Sequence, residues 1–430
     1  MPEFLTEYIK ELNGKADRIK RDFVRDDIKN LGSFFDKYWV KFDLSDHPSD
    51  MDVLAIDSSS AVFPTNVGGL FYVVRGLGIT KNKNYRRVAT DFDYSSSKSE
   101  QDISRFLGMY REHMEHLVGL DSIYDGHNGY ILLDGSIYGR LSHIPLEYSF
   151  LNPNSKSLAI DYFENLTRFI KKCEDDQILL IGISKESKTS FFRDFLIERI
   201  LNDKGLDKRS RSEILSIALK DKRKALKMAE DMGDKDSNDV VKLIEELTAR
   251  IPDFQLITLH AKYPGYTTPL LLGASQKRIE DYKRYVVNKR SLIKTSFPEL
   301  SEDEDTFRRL SILYDDLFNL PAIVSFHLLP RQADTAMRID VPSWYFGIHK
   351  RMIDVGWPEP AMIDEEKLNE ILNILSAGYC GLNNYNIWLN AVDLRVKLNK
   401  KDFEEIYLPK FEDIVGRFAS PRGYRRDRYP

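Results

Sequence analysis

Cysteine, long apolar runs and net charge are all scarce in this chain. Its 430 residues include 2 cysteines. Cys173 and Cys380 are too few and too far apart for a disulfide framework or a cysteine-ligated zinc site, so two reduced thiols are expected. No stretch approaches the ~18 consecutive apolar residues of a membrane span. Residues 1–7 lack the basic and apolar stretches of a secretory signal. A cytoplasmic protein without membrane contact is the expectation. The formal net charge is −4 although 30% of residues are charged. A chain-wide basic field is therefore excluded, and contact with nucleic acid must come from local patches.

Several chemical signatures are missing too. There is no Gly-x-x-x-x-Gly-Lys-Ser/Thr loop, so ATP hydrolysis by that route is not expected. There is no Gly-x-Ser-x-Gly nucleophile elbow. The histidines (His47, His113, His116, His127, His143, His260, His327 and His349) show no zinc-ligand spacing. Gly68-Gly69 and Gly76-x-Gly78 read as hairpin turns, because no helix follows them as a nucleotide fingerprint would require.

What the chain does contain is two short hydrophobic runs that each close on an aspartate. Val53-Leu54-Ala55-Ile56-Asp57 precedes Ser58-Ser59-Ser60, and Tyr130-Ile131-Leu132-Leu133-Asp134 precedes Gly135-Ser136. Apolar runs of this length bounded by small polar residues predict buried strands. A carboxylate at the end of such a strand must be exposed, paired or bound to a cation. Two of them side by side form the arrangement that holds divalent metal for phosphoryl transfer. Asp-Ser and Asp-Gly are also ordinary turn formers.

The rest of the pattern predicts an α/β protein. Residues 1–48 read as an N-terminal helical arm. Residues 49–187 begin the core, with further strands at 69–76 and 88–93, a helix over 100–118, and a helix then a strand at 178–183. Residues 188–320 read as a mostly helical, charged insertion, basic between Lys204 and Lys227. Residues 321–410 return to the core, with strands at 322–328 and 336–342 and a helical region from Glu365 to about Leu398. Residues 411–430 form a tail rich in Arg and Tyr, able to pair with phosphates and stack on bases or simply to solubilise. The 100–118 helix brings Glu112 and Glu115 towards the Asp134 strand, on a face flanked by Tyr110, Met114 and Leu117.

Taken in order, Ala55-Ile56-Asp57-Ser58-Ser59, Glu115, Leu132-Leu133-Asp134-Gly135-Ser136, Gly182-Ile183-Ser184-Lys185 and Arg338-Ile339-Asp340-Val341-Pro342 resemble the NurA nuclease family, from about residue 50 to about 400. The resemblance implies a ribonuclease H-like core, a mixed sheet flanked by helices. It implies that Asp57, Glu115 and Asp134 hold one or two Mn2+ or Mg2+ ions. The family's C-terminal pattern Tyr-Pro-x-Pro-Leu-x-x-Ala-His matches Tyr385 to Asp393, with both prolines absent and Asp393 where histidine would stand. Aspartate is a competent hard ligand, and Asn386 and Asn390 are alternatives if the register slips. Lys185, Arg338, Arg422, Arg425 and Arg426 are the candidate DNA contacts; Arg338 and Asp340 are also candidates to pair with other charges.

The activity so implied is metal-dependent hydrolysis of DNA: single-strand endonuclease and 5′ to 3′ exonuclease on single- and double-stranded ends, in double-strand-break resection. The implied partners are DNA ends, the hexameric ATPase HerA and a second copy of the chain. A non-catalytic dimeric adaptor on the same fold is the alternative, resting on the altered C-terminal motif. An ATP-using actin-like or sugar-kinase fold ranks last, for want of a second phosphate-binding Asp-Gly hairpin in the C-terminal half.

Overall fold

A computed structural model describes residues 3–23, 29–44, 51–94, 100–143, 145–147, 156–231, 237–249 and 251–416. Arg422, Arg425 and Arg426 of the basic tail lie outside the described residues. The chain divides into two units. One comprises residues 1–41, 187–268 and 331–336, and the other residues 42–186, 269–330 and 337–430. In chain order the strands are β1 (Trp39–Lys41), β2 (Val53–Pro64), β3 (Gly69–Ile79), β4 (Asn84–Tyr94), β5 (Tyr130–Asp134), β6 (Leu180–Ser184), β7 (Gly265–Thr267), β8 (Leu270–Leu272), β9 (Ile323–Leu329), β10 (Met337–Pro342) and β11 (Glu359–Pro360).

The smaller unit is mainly helical and pairs β1 with β7 antiparallel. Its anchor is Asp253. This buried carboxylate accepts hydrogen bonds from the backbone N–H groups of Phe192 (3.0 Å) and Arg193 (2.9 Å), satisfying donors that a helix start leaves open. The basic stretch predicted here is helical, over Lys208–Lys220 and Lys222–Asp231. Part of its charge is already paired: Arg211 with Glu198 at 3.0 Å, and Lys204 with Asp239 at 2.9 Å.

The larger unit carries a mixed sheet. β2, β3 and β4 form an antiparallel meander. β5 pairs parallel with β2, and β6 parallel with β5. β10 and β9 extend the sheet antiparallel from β6. Parallel neighbours need crossover connections, here the helices Glu100–Tyr124 and Leu158–Asp175. Val118, Leu133, Phe163 and Phe169 belong to the core that these helices form with the sheet.

The strands are longer than the apolar runs predict. β2 does not end at Asp57 but runs on to Pro64, so this aspartate lies within a strand. The serines that read as a turn stay extended because neighbouring elements satisfy their hydroxyls. Ser58 Oγ donates to Glu115 on the long helix, and Ser59 Oγ donates to the Val396 carbonyl. Gly76 and Gly78 are not a hairpin turn. They lie inside β3, where a Cβ would come within 2.9 Å of Met114 Cβ and 2.6 Å of Val118 Cγ1, so glycine here lets the long helix settle against the sheet. The helical region from Glu365 is two helices, Glu365–Gly378 and Ile387–Val396, separated by a segment in which Gly381 has φ +102°.

Candidate functional site

Strand register places the two aspartates together. Ile56 of β2 is the partner of Leu133 in β5, so Asp57 and Asp134 are the next residues on adjacent parallel strands. Side chains alternate between the faces of a strand. Ser58 meets the long helix, whereas Ser59 and its same-face neighbour Asp57 meet the helix Ile387–Val396, which carries Asp393. Asn386 caps that helix, accepting from the N–H groups of Trp388 (3.1 Å) and Leu389 (3.0 Å). Its amide oxygen is thereby occupied. Asn390 lies one turn before Asp393 on the same helix.

The electrostatics of the cluster are those of carboxylates short of counter-charge. Asp57 is pushed up to about 8, first by burial and then by the negative charges of Glu115, Asp134 and Asp393. The Ser58 N–H, 2.7 Å from Asp57 Oδ1, acts in the opposite sense. Asp134 is paired with a cation, Lys185 Nζ lying 3.1 Å from its Oδ2. The same ammonium sits 4.1 Å from the centre of the Tyr385 ring.

Tyr385 is the site residue to which sequence reasoning gave no role. Its hydroxyl is buried without a hydrogen bond of good geometry. Burial, the charge of Asp134 and the hydroxyl's contact with that carboxylate, then the charges of Asp57 and Asp393, hold its pKa far above the ordinary range, so it stays a neutral O–H donor. The available signal was its place at the head of the segment ending in Asp393.

Glu115 is placed differently from the aspartates. It is 3% exposed, accepts from Ser58 Oγ, and is ion-paired with Arg140. Arg140 Nη2 also donates to the Asp134 carbonyl at 3.3 Å. Burial raises the Glu115 pKa, with Arg140 opposing it. Burial works against the Arg140 charge, but Glu115 and Glu112 outweigh it and keep the guanidinium protonated. Glu112 faces a separate buried group, accepting from Tyr162 Oη at 2.6 Å and contacting His143 at 3.2 Å.

Arg338 needs correction as a DNA contact. It is 1% exposed and grips Asp340 with Nε and Nη2, each at 2.9 Å. Ser136 and Ser325 donate to the same carboxylate at 2.7 and 2.8 Å. A guanidinium consumed in a buried network presents nothing to a phosphate. The other expectation, that these residues pair with another charge, is met by each other.

Among the described residues no three His, Cys, Asp or Glu already stand in a metal-ligating arrangement. The chemistry of the donor set nevertheless suits a hard divalent cation. Asp57, Asp134 and Asp393 offer carboxylate oxygens only, and the raised Asp57 pKa marks a place where positive charge is deficient. Glu115, held by Ser58 and Arg140, adds field rather than a free oxygen pair.

The NurA domain family model matches residues 51–398. No curated protein matches the sequence. Among solved structures, the NurA nuclease from Sulfolobus solfataricus aligns over 100% of both chains, with 12% identity and a TM-score of 0.52. This is a likeness of fold. A NurA bound to dAMP and manganese aligns over 94% of this chain and 97% of its own, with 16% identity and a TM-score of 0.39, too distant to assign residues. With the family model matched over most of its length, the chain belongs to the NurA nuclease family.

Proposed function

We infer that this protein is a metal-dependent DNA phosphodiesterase whose site is built on Asp57, Asp134 and Asp393. The observation that carries the reading is the convergence of these carboxylates, from the adjacent strands β2 and β5 and the helix Ile387–Val396, with Lys185 and the Tyr385 hydroxyl beside them. The order β4-β3-β2-β5-β6, an antiparallel meander followed by two parallel strands, supports a ribonuclease H-like core. Family membership supports the finer activities: single-strand endonuclease and 5′ to 3′ exonuclease action on DNA ends in break resection, as a homodimer with the hexameric ATPase HerA.

Asp57, Asp134 and Asp393 would hold Mn2+ or Mg2+. Bound there, the ion supplies Lewis acidity towards a phosphate oxygen. The chain's own residues do the remainder. Lys185, half-exposed at the mouth of the site, meets a phosphate as a point charge. Tyr385 stays protonated and donates a hydrogen bond to an oxygen on the same phosphate. Arg140 fixes Glu115, and through the Asp134 carbonyl it fixes the end of β5. None of these groups reads a base edge, so cutting should be independent of sequence and strongly salt-sensitive.

The test is cleavage of 5′- and 3′-labelled single-stranded DNA with Mn2+, Mg2+ or EDTA, comparing the wild type with Asp134→Asn. Metal-dependent cutting that the substitution abolishes is the expected result, and the two labels set the polarity. A wild type that binds DNA without cutting it, even with its translocase added, would leave the adaptor reading, for which the aspartate at position 393 is the supporting observation.

A further inference from the structure

The helix that brings Asp393 to the site also walls a second feature. A cleft of about 360 Å³ opens between the start of β2, the end of β3 and this helix, lined by Met51, Val53, Ile79, Lys81 and Trp388. We propose that it is a nucleotide subsite, in which an unpaired base of the DNA strand stacks on Trp388 while its phosphate meets Lys81. The proposal rests on the nuclease reading above and assigns the path of the strand away from the acids.

Four observations carry it. The cleft volume falls in the range that holds a small planar ligand and leaves no room for a duplex. Its walls combine an indole with aliphatic side chains and one exposed lysine, the combination that binds single strands without sequence preference. Val53 and Asp57 lie on the same face of β2, four residues apart and so separated by about 13 Å. Trp388 and Asp393 lie five residues apart on one helix, about 7.5 Å along its axis. The cleft is therefore within reach of nucleotides adjoining the bond at the acids.

Charge points the same way. A phosphodiester chain crossing three carboxylates is repelled on both sides of any bound metal. Lys185 stands on the Asp134 side of the cluster and Lys81 on the Trp388 side. A strand laid from one to the other meets a cation before and after the acids. The base next to Lys81 then has the indole as its only aromatic neighbour in the cleft.

The test uses the full chain and a fluorescent single-stranded oligonucleotide, with Ca2+ in place of Mn2+ so that it binds without being cut. A single abasic residue is moved along the strand in successive oligonucleotides. In the wild type one position should lower affinity about tenfold, the order that stacking on one aromatic side chain supplies. Trp388→Ala should abolish that position dependence, and Trp388→Phe should keep it. Lys81→Ala, on an exposed loop, should flatten the salt dependence of binding by about one phosphate contact. A flat abasic scan in a wild type that cuts DNA with Mn2+ overturns the subsite and leaves the nuclease reading intact. So does a Trp388→Ala variant that retains the sensitive position. A wild type that neither binds nor cuts the oligonucleotide overturns both.

Discussion

Ser58 Oγ donates a hydrogen bond to the Glu115 carboxylate, so the helix acid is tied to the residue after Asp57 and not to Asp57 itself. Its other oxygen is taken by Arg140. Removing the guanidinium would leave a fully buried carboxylate without its counter-ion, a loss of about 3–5 kcal/mol. Arg140→Ala should therefore lower stability by that order in denaturant unfolding. Adding Glu115→Gln to Arg140→Ala should recover much of it, because the amide needs no counter-charge. Equal destabilisation by the single and double variants would mean that the pair is not the unit described.

The raised pKa of Asp57 gives two pH dependences of opposite sign. In the metal-free protein the folded state keeps a proton on Asp57 up to about pH 8, whereas an ordinary aspartate loses it near 3.8. The folded state thus binds more protons between these values. The contribution of this group to stability is full below about pH 4 and is lost as pH rises through 8. Metal binding runs the other way, since the proton must leave first; Mn2+ affinity should climb until about pH 8 and then level. Thermal melts of wild type and Asp57→Asn across pH 5–9 with EDTA, and Mn2+ titrations of the wild type, check both. The difference between the two proteins isolates Asp57 from buried histidines such as His113, held down to about 4 by burial, whose effect on stability has the opposite sign.

Much of this candidate site is legible in the sequence, because the apolar runs that lead to it are short and each closes on an aspartate. The positions of Asp57, Asp134 and the long helix follow from period and composition. The continuation of β2 beyond Asp57 does not, since three serines read as a turn until a helix on one face and a carbonyl on the other satisfy them. Nor does the fate of the arginines. Arg338 and Asp340 alternate on a strand with apolar residues, and whether their charges meet each other or a substrate depends on burial, which Ser136 and Ser325 complete from other strands and turns. Tyr385 and Trp388 sit in a stretch with no periodicity of its own, and only the return of the chain over β2 gives them a role.

Lys185 and Arg338, both read as DNA contacts, should separate cleanly on mutation. Lys185 is half-exposed beside Asp134, with its ammonium over Tyr385. Lys185→Ala should leave the melting temperature nearly unchanged, weaken single-strand binding, and reduce the slope of log K against log salt by about 0.7. Arg338→Ala should instead destabilise by about 3–5 kcal/mol through the orphaned Asp340. It should leave the salt slope alone under conditions where it remains folded. The reverse pattern would put Arg338 at the substrate and Lys185 in the scaffold.

Asp393 tests how far the altered C-terminal motif still serves the site. Its charge contributes to holding the Asp57 proton, and it rides a helix fixed by the Asn386 cap and by Ser59 and Arg75 on the Val396 carbonyl. Asp393→Asn keeps the shape and removes the charge. The Asp57 pKa should fall in that variant without metal, while Mn2+-dependent cutting should drop at least about tenfold, since even outer partners of a metal ligand contribute 10–100-fold. Asp393→His exchanges a hard oxygen for an imidazole, which Mg2+ tolerates less well than Mn2+. Cutting by that variant should persist with Mn2+ and decline with Mg2+, so the ratio of the two rates reports ligation directly. An unchanged ratio, together with an Asp393→Asn enzyme as fast as the wild type, would take position 393 out of the metal site and leave Asp57 and Asp134 to hold the ion with Tyr385 and Lys185 beside them.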